Sequence, residues 1–265
     1  MFTRLLSRAI AERQLGSVTV MEDVSTQLEN AARTTSLRGI RRYTRFLDPA
    51  QAQEAARLAR RYGVELSLWG GYPDAERTVA CFSAQGDAPE RAEFPVICLH
   101  ARYTQRFLTI THRDLLGAFM ALGLTRDTVG DIILSDADIF LFAAAATAEF
   151  IAGALTSAGR ASLRFEMLDE IPPMPPPRGE TFHAVISSLR LDAVLAAAYR
   201  LSRSEAAEAI RAGSVKLDHL PCERTDAPVA EGALLSLRGR GRIRLQEVGG
   251  TTRKQRIGVT FFRYE

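Results

Sequence analysis

The residues best suited to chemistry with a charged partner lie between His183 and Leu245. Ser202-Arg203-Ser204-Glu205 is a capping box: the Ser202 hydroxyl can accept from the Glu205 N–H while the Glu205 side chain reaches back. The helix it opens offers unpaired N–H groups and the positive end of its dipole beside Arg203, an arrangement suited to a phosphate. Lys216 sits between Val215 and Leu217, so on a strand it faces away from both. Arg238-Gly239-Arg240-Gly241-Arg242 then alternates guanidinium groups with glycine, which lets backbone and charge approach a phosphate ribbon closely. The arginine fork binds phosphate bidentately and stacks on bases.

Two short helices and a small hairpin must position these groups. Leu189, Leu191, Val194, Leu195 and Ala198 form the apolar side of one helix. The second buries Ala206, Ala209 and Ile210 and stops at Gly213. Val215–Leu217 and Leu234–Leu237 read as strands. Charge supports the placement. Residues 171–265 hold 15 Arg and Lys against 10 Asp and Glu, a surplus of five, whereas residues 1–170 hold 19 against 21. A polyanion is therefore drawn to the C-terminal third first, although so small a surplus also suits an ordinary solvated surface. Lys216 and Lys254 are the only lysines, a bias that runs through the chain and reflects composition as much as function.

Upstream, residues 1 to about 62 read as helical, with Val18–Val20 a weak strand or turn. Asp48 caps a helix that has Pro49 at its first position and stops at Gly63. Arg38, Arg41, Arg42 and Arg45 form either a second basic patch or a solvated helix face. Val64–Trp69 and Arg77–Phe82 alternate as partner strands around the turn at Gly70-Gly71. From 94 to 168 the order is strand, helix, strand, strand, helix, strand. Thr111 caps the first of these helices, Thr147 the second, and residues 161–166 form the last strand. That order predicts a ferredoxin-like sandwich, the topology of RNA-recognition domains, which stack bases on strand aromatics. Phe140 and Phe142 are the candidates; sharing parity, they point the same way, as core residues do too. The fold class is thus α+β: an N-terminal α/β region (1–88), a central ferredoxin-like, RRM-like domain (89–170) and a C-terminal module (182–265) with a basic tail. Five prolines in 171–177 make the linker (171–181) a stiff spacer.

The C-terminal residues resemble the S4 RNA-binding domain over about Phe182 to Leu245: Arg190-Leu191-Asp192, the run from Ser202 to Gly213, Val215-Lys216-Leu217 and the arginine–glycine close. The resemblance implies that Arg190, Ser202, Arg203, Ser204 and Lys216 contact structured RNA, with Arg238, Arg240 and Arg242 beside them. Arg253, Lys254 and Arg256 on the tail extend the surface. Asp218 stands where the S4 family usually has Asn, and Ala233 where it usually has Asp. The whole chain resembles the YlmH-like proteins, a family that includes the photosystem II S4 domain protein of plants and cyanobacteria. Arg45-Phe46-Leu47-Asp48-Pro49, Gly70-Gly71-Tyr72, Ala75-Glu76-Arg77, residues 111–118, Val129-Gly130-Asp131-Ile132-Ile133 and 250–257 carry that likeness, with Gln255 where Gly is expected. It implies a ribosome-associated, non-enzymatic RNA binder. Some relatives act on stalled large subunits carrying peptidyl-tRNA; others are tied to cell division or photosystem biogenesis.

Catalytic readings are weaker. Arg190-Leu191-Asp192 has the letters of the pseudouridine-synthase motif, but here the Asp falls inside a helix and too little chain follows. His112-Arg113-Asp114 reads as a helix start, since no glycine-rich loop or D-F-G accompanies it. Asp114 and Asp131 remain a conceivable acid–base pair, each with a capping or turn explanation. Cys81, Cys98 and Cys222 are odd in number and outside any C-x-x-C, which suits reduced thiols in a cytosolic compartment. The four histidines lack metal-ligand spacing, so no metal and no cofactor is expected. No apolar run approaches the ~20 residues that span a bilayer, and no signal-peptide core opens the chain. The expectation is a cytoplasmic, monomeric protein, bacterial rather than plastid, that binds ribosomal RNA or tRNA on the large ribosomal subunit without membrane insertion. An RNA-modifying enzyme, or an adaptor in division or photosystem II biogenesis, is the alternative.

Overall fold

A computed structural model describes residues 23–103, 110–135, 137–251 and 256–265. The chain divides between Pro175 and Pro176, inside the proline run, into two compact units.

The first unit opens with α1 (Val24–Arg38), which ends at Gly39 in the left-handed region. β1 (Arg42–Leu47) follows, then α2 (Pro49–Tyr62), β2 (Glu65–Trp69) and β3 (Thr78–Ser83). The predicted cap of α2 forms: Asp48 accepts from the Gln51 N–H and Gln51 returns the bond. Arg42–Leu47 departs from the helical reading. Tyr43, Thr44 and Phe46 favour a pleated strand, and β1 pairs antiparallel with β3 in a sheet of order β1-β3-β2. The helices cover one face of that sheet through Leu28, Ala55, Leu58 and Phe82.

Next come β4 (Val96–Arg102), α3 (His112–Ala121), β5 (Val129–Leu134), β6 (Asp138–Ala144), α4 (Ala145–Ala154), a two-residue hairpin β7 (Ser157–Ala158) and β8 (Ala161–Ser162), and β9 (Glu166–Leu168). Their four-stranded sheet has the order β5-β6-β4-β9 with every pair antiparallel. Two expectations fail here. The last strand is Glu166–Leu168 rather than 161–166, because Leu163 and Phe165 turn into the core under the helices. Thr147 lies inside α4, where its hydroxyl donates to Ala144 O at 3.1 Å; Ala144 takes the cap position.

The two sheets share a second core. Phe46, Val79 and Cys81 of the first meet Cys98, Phe140 and Phe142 of the second. Glycine makes the approach possible: a Cβ on Gly130 would stand 2.5 Å from the Phe46 ring, and one on Gly71 (φ +105°) 2.3 Å from the Phe142 ring. Asp131 accepts from Tyr72 Oη (2.9 Å), Glu76 N (2.7 Å) and Arg77 N (3.2 Å), which pins the β2–β3 connection to β5. Arg77 donates to the carbonyls of Val129, Phe46 and Arg126.

The second unit is β10 (Gly179–Ile186), α5 (Leu191–Tyr199), α6 (Arg203–Arg211), β11 (Val215–Leu217), β12 (Leu220–Pro221), β13 (Leu234–Leu237), β14 (Gly241–Thr251) and β15 (Ile257–Tyr264). β10 thus begins within the stretch expected to be linker. The six strands form one antiparallel sheet, β10-β15-β14-β13-β11-β12. Both helices pack on one face, where Val194, Leu195, Ile210, Val215, Leu235, Ile243 and Phe261 form the core. Among the described residues, no helix is long and apolar enough to cross a membrane.

Candidate nucleic-acid interface

The S4-like residues gather around a buried carboxylate. Asp192, in the first turn of α5, has a side chain only 10 % exposed. Arg203 Nη2 donates to its Oδ2 at 2.7 Å, and Arg190 reaches both oxygens at 3.4 Å. Arg203 Nη1 also meets Ser187 Oγ at 3.2 Å. Burial alone would raise the Asp192 pKa, but hydrogen bonds from Arg203 and Arg190 outweigh it and hold the carboxyl below its ordinary value. The ion cluster fixes the starts of α5 and α6 side by side, while about half of each guanidinium side chain stays exposed. Arg190-Leu191-Asp192 therefore has a positioning role here, with Asp192 already engaged.

The capping box opens α6 as its sequence predicts. Ser202 Oγ accepts from Glu205 N at 3.2 Å, Ser202 N donates to Glu205 Oε2 at 2.7 Å, and Ser204 Oγ lies 3.0 Å from Ser202 Oγ. Glu205 is held below the usual carboxylate range by its bonds to Ser202, and the charge of Arg240 adds to the effect. The β13–β14 turn is tight: Gly239 and Gly241 take φ of 77° and 80°, and Arg240 N donates to Leu237 O at 2.9 Å. Positive φ at both glycines leaves Arg238 and Arg240 exposed at the tip. Tyr199 Oη, 2.9 Å from Gly241 O and 3.1 Å from Leu235 O, ties the end of α5 to this hairpin; burial pushes its pKa up to about 12.

Lys216 lies on the other side of the sheet. Val215 is fully buried and Leu217 packs on the core, so Lys216 projects from the face opposite the helices. It pairs in register with Ser236, and Ser236 with Arg242. The Arg242 guanidinium carbon stands 5.2 Å from the centre of the Tyr264 ring. The candidate cations thus split into two sets, one at the helix starts with the nearby turn and one on the outer sheet face. Arg256 is exposed at the start of the closing strand, and Arg253 and Lys254 fall outside the described residues.

Several contributors escaped the sequence reading. Arg244 donates to Tyr264 Oη at 2.8 Å and to Gly232 O at 3.1 Å. Phe262 and Tyr264 share the outer face with it. The alternation of Val259, Phe261 and Arg263 against Thr260, Phe262 and Tyr264 was the available signal, hidden by two adjacent phenylalanines. Asp218, the departure from the usual Asn, sits at φ 47° with Oδ1 accepting from Leu234 N at 2.8 Å, a bond the amide oxygen of Asn would also make. Ala233 is buried.

Of Arg38, Arg41, Arg42 and Arg45, read as either a basic patch or a solvated helix face, two are engaged in ion pairs: Arg41 with Asp87 (2.7 Å) and Glu93 (2.6 Å), Arg45 with Asp127 (2.9 Å). Phe140 and Phe142 are packed between the two sheets, stacked on His100 and Tyr72 at 4.9 and 4.8 Å. Asp114 completes the capping box opened by Thr111, and Asp131 accepts from three donors. Among the described residues, no group of three or more His, Cys, Asp or Glu could hold a metal.

Paired helix starts joined by an ion cluster, on a sheet with an arginine hairpin, define an S4-domain protein; residues 189–235 match the S4 domain. Residues 19–81 match "YlmH, N-terminal" and residues 89–170 "Putative RNA-binding domain in YlmH". The chain is 38% identical over 224 residues to "Ribosome-associated protein quality control protein P2" of Bacillus subtilis (strain 168), covering 83% of this chain and 86% of that protein. It belongs to the YlmH-like family of S4-domain RNA-binding proteins. A solved structure, "Cell division protein ylmH from Streptococcus pneumoniae", is similar at 20% identity and a TM-score of 0.48, over 58% of this chain and 95% of that one.

Proposed function

We propose that this protein binds structured RNA of the translation machinery, ribosomal RNA or tRNA on the large ribosomal subunit, and that binding is its activity. The observation that carries the reading is the Arg190–Asp192–Arg203 cluster. It holds two half-exposed guanidiniums at the starts of adjacent helices. Preset forks at a helix N-terminus suit phosphate oxygens of a folded backbone. The Bacillus relative's name points to the ribosome as the place where that backbone is met. A binding role rather than catalysis is favoured by the carboxylates weighed as catalytic groups, since Asp192, Asp114 and Asp131 all serve structural bonds.

Sedimentation with purified large subunits tests the reading. The wild type is expected to co-sediment at low salt and to dissociate as salt rises. Arg203→Ala with Lys216→Ala is expected to weaken binding ~10-fold or more and to flatten the salt slope by about two. Unchanged binding in that variant overturns the site, and altered nucleotides in RNA from a deletion strain, read by mass spectrometry, would overturn the non-catalytic role.

A further inference from the structure

The outer face of the C-terminal sheet carries side chains that its core does not need. Val259 and Phe261 of β15 point into the core, whereas Thr260, Phe262 and Tyr264 point away. A solvent-facing set on an antiparallel sheet is ordinarily polar. Here two aromatic rings stand together, partly exposed, with centroids 5.0 Å apart and planes at 88°. Strand register sets cations around them. Arg244 pairs with Phe262, and Arg242, one step from the Ile243–Arg263 pair, sits over Tyr264. Lys216 continues the same row through Ser236. Thr181 and His183 of β10 complete the face, paired with Phe262 and Thr260.

Two details make this a built surface. Gly179, opposite Tyr264, is a position where a Cβ would stand 2.0 Å from Arg263 O and 2.7 Å from the Phe262 ring. Only glycine lets that ring lie across the edge strand. No carboxylate stands between these cations and the rings: Asp218 ends the Arg244 row on its far side, where its Oδ1 accepts from Leu234 N, and Glu247 pairs with Thr260 beyond the β14 bulge. Rings flanked by cations with no acid between them match an unpaired nucleic-acid strand, whose bases offer π-faces and whose phosphates need positive charge. A duplex hides those base faces.

We propose that this face is a stacking platform for unpaired RNA bases, separate from the helix-start cluster: Phe262 and Tyr264 take bases, and Lys216, Arg242 and Arg244 take the flanking phosphates. The proposal rests on the RNA-binding reading above.

The test uses the full chain and two probes: an unstructured single-stranded RNA of about 12 nucleotides, within the usual site size, and a blunt RNA duplex. Phe262→Leu with Tyr264→Leu keeps apolar bulk and removes the rings. It is expected to weaken the single strand by at least ~5-fold, the lower end for one stacked base, and to leave duplex affinity unchanged. Equal loss on both probes, or loss on neither, overturns the platform. Should the variant unfold by circular dichroism, 4-thiouridine crosslinking of the single strand to the wild type decides: adducts on residues 257–264 support the platform, and adducts confined to 200–211 overturn it. A wild type that binds neither probe at low salt sinks the RNA-binding reading itself. Duplex binding that persists with an unaffected single strand sinks only the platform.

Discussion

Two sheets in this molecule carry paired aromatics on the face away from their helices, and they meet opposite fates. In the central sheet Phe140 and Phe142 share parity on β6, the placement from which RNA-recognition domains stack bases, yet they are 7 % and 0 % exposed. The N-terminal sheet lies over them with Phe46, Val79 and Cys81. In the C-terminal sheet Phe262 and Tyr264 stay partly exposed among arginines. Strand position alone therefore does not make an aromatic a ligand platform; what covers the face does. The central domain, if it touches RNA, must do so with some other surface.

The largest effect should come from the covered face. Phe142→Ala deletes a fully buried ring that stacks on Tyr72 and presses against Gly71, and is expected to cost about 3–5 kcal/mol. Urea unfolding should show the loss in the N-terminal unit, with the binding of structured RNA by the S4 domain retained. A loss below ~1 kcal/mol would mean the two sheets do not share a core, and the RNA-recognition reading of Phe140 and Phe142 would reopen.

The same contrast explains what was legible in the sequence. Local signals read well: the caps at Asp48, Thr111 and Ser202 all form, because each needs only residues three apart. Lys216 faces away from the core as its alternation requires. The Thr147 cap is the local exception, since Ala144 takes its place; the other failures depended on distant partners. Arg42–Leu47 is a strand because β3 is there to pair with it, and residues 161–166 bend because a helical layer draws in Leu163 and Phe165. The sequence named candidate cations without their division between two faces, since only sheet register separates Lys216 and Arg242 from Arg190 and Arg203. The aromatic half of the outer face was missed for the same reason.

Two carboxylates, Asp192 buried and Asp131 half-buried, extend the comparison between units. Asp131 is raised above its ordinary pKa because burial outweighs its three hydrogen bonds, whereas Asp192 is lowered because two guanidiniums outweigh burial. Their pH effects have opposite signs. The contribution of Asp192 is complete above the ordinary carboxylate value of about 3.9 and is lost as pH falls through its lower folded value. Asp131 favours the folded state more as pH falls through its raised value. Asp192→Asn is expected to cost the C-terminal unit about 1–2 kcal/mol at pH 7. That is less than for a fully buried pair, because both arginines are half exposed. The gap from wild type should close in strong acid, while the gap for Asp131→Asn should shift toward the wild type on acidification. Urea midpoints from pH 7 down to about pH 1.5 would show both, and parallel curves would refute the assigned charge partners.

The smallest effect should come from the N-terminal arginines, and it separates a basic patch from an ion-paired surface. Arg45 is 63% exposed and bonds Asp127 at 2.9 Å. An exposed pair of this kind is worth about 0.2–1 kcal/mol, so Arg45→Ala should shift stability by no more than that. Its positive charge is locally balanced by Asp127, so it adds little to the potential a phosphate would meet. Affinity for large subunits should stay within ~2-fold of wild type, with the salt slope unchanged. A slope lower by about one would show that Arg45 leaves Asp127 for a phosphate, and would turn the N-terminal unit from a packed scaffold into a second RNA-binding surface.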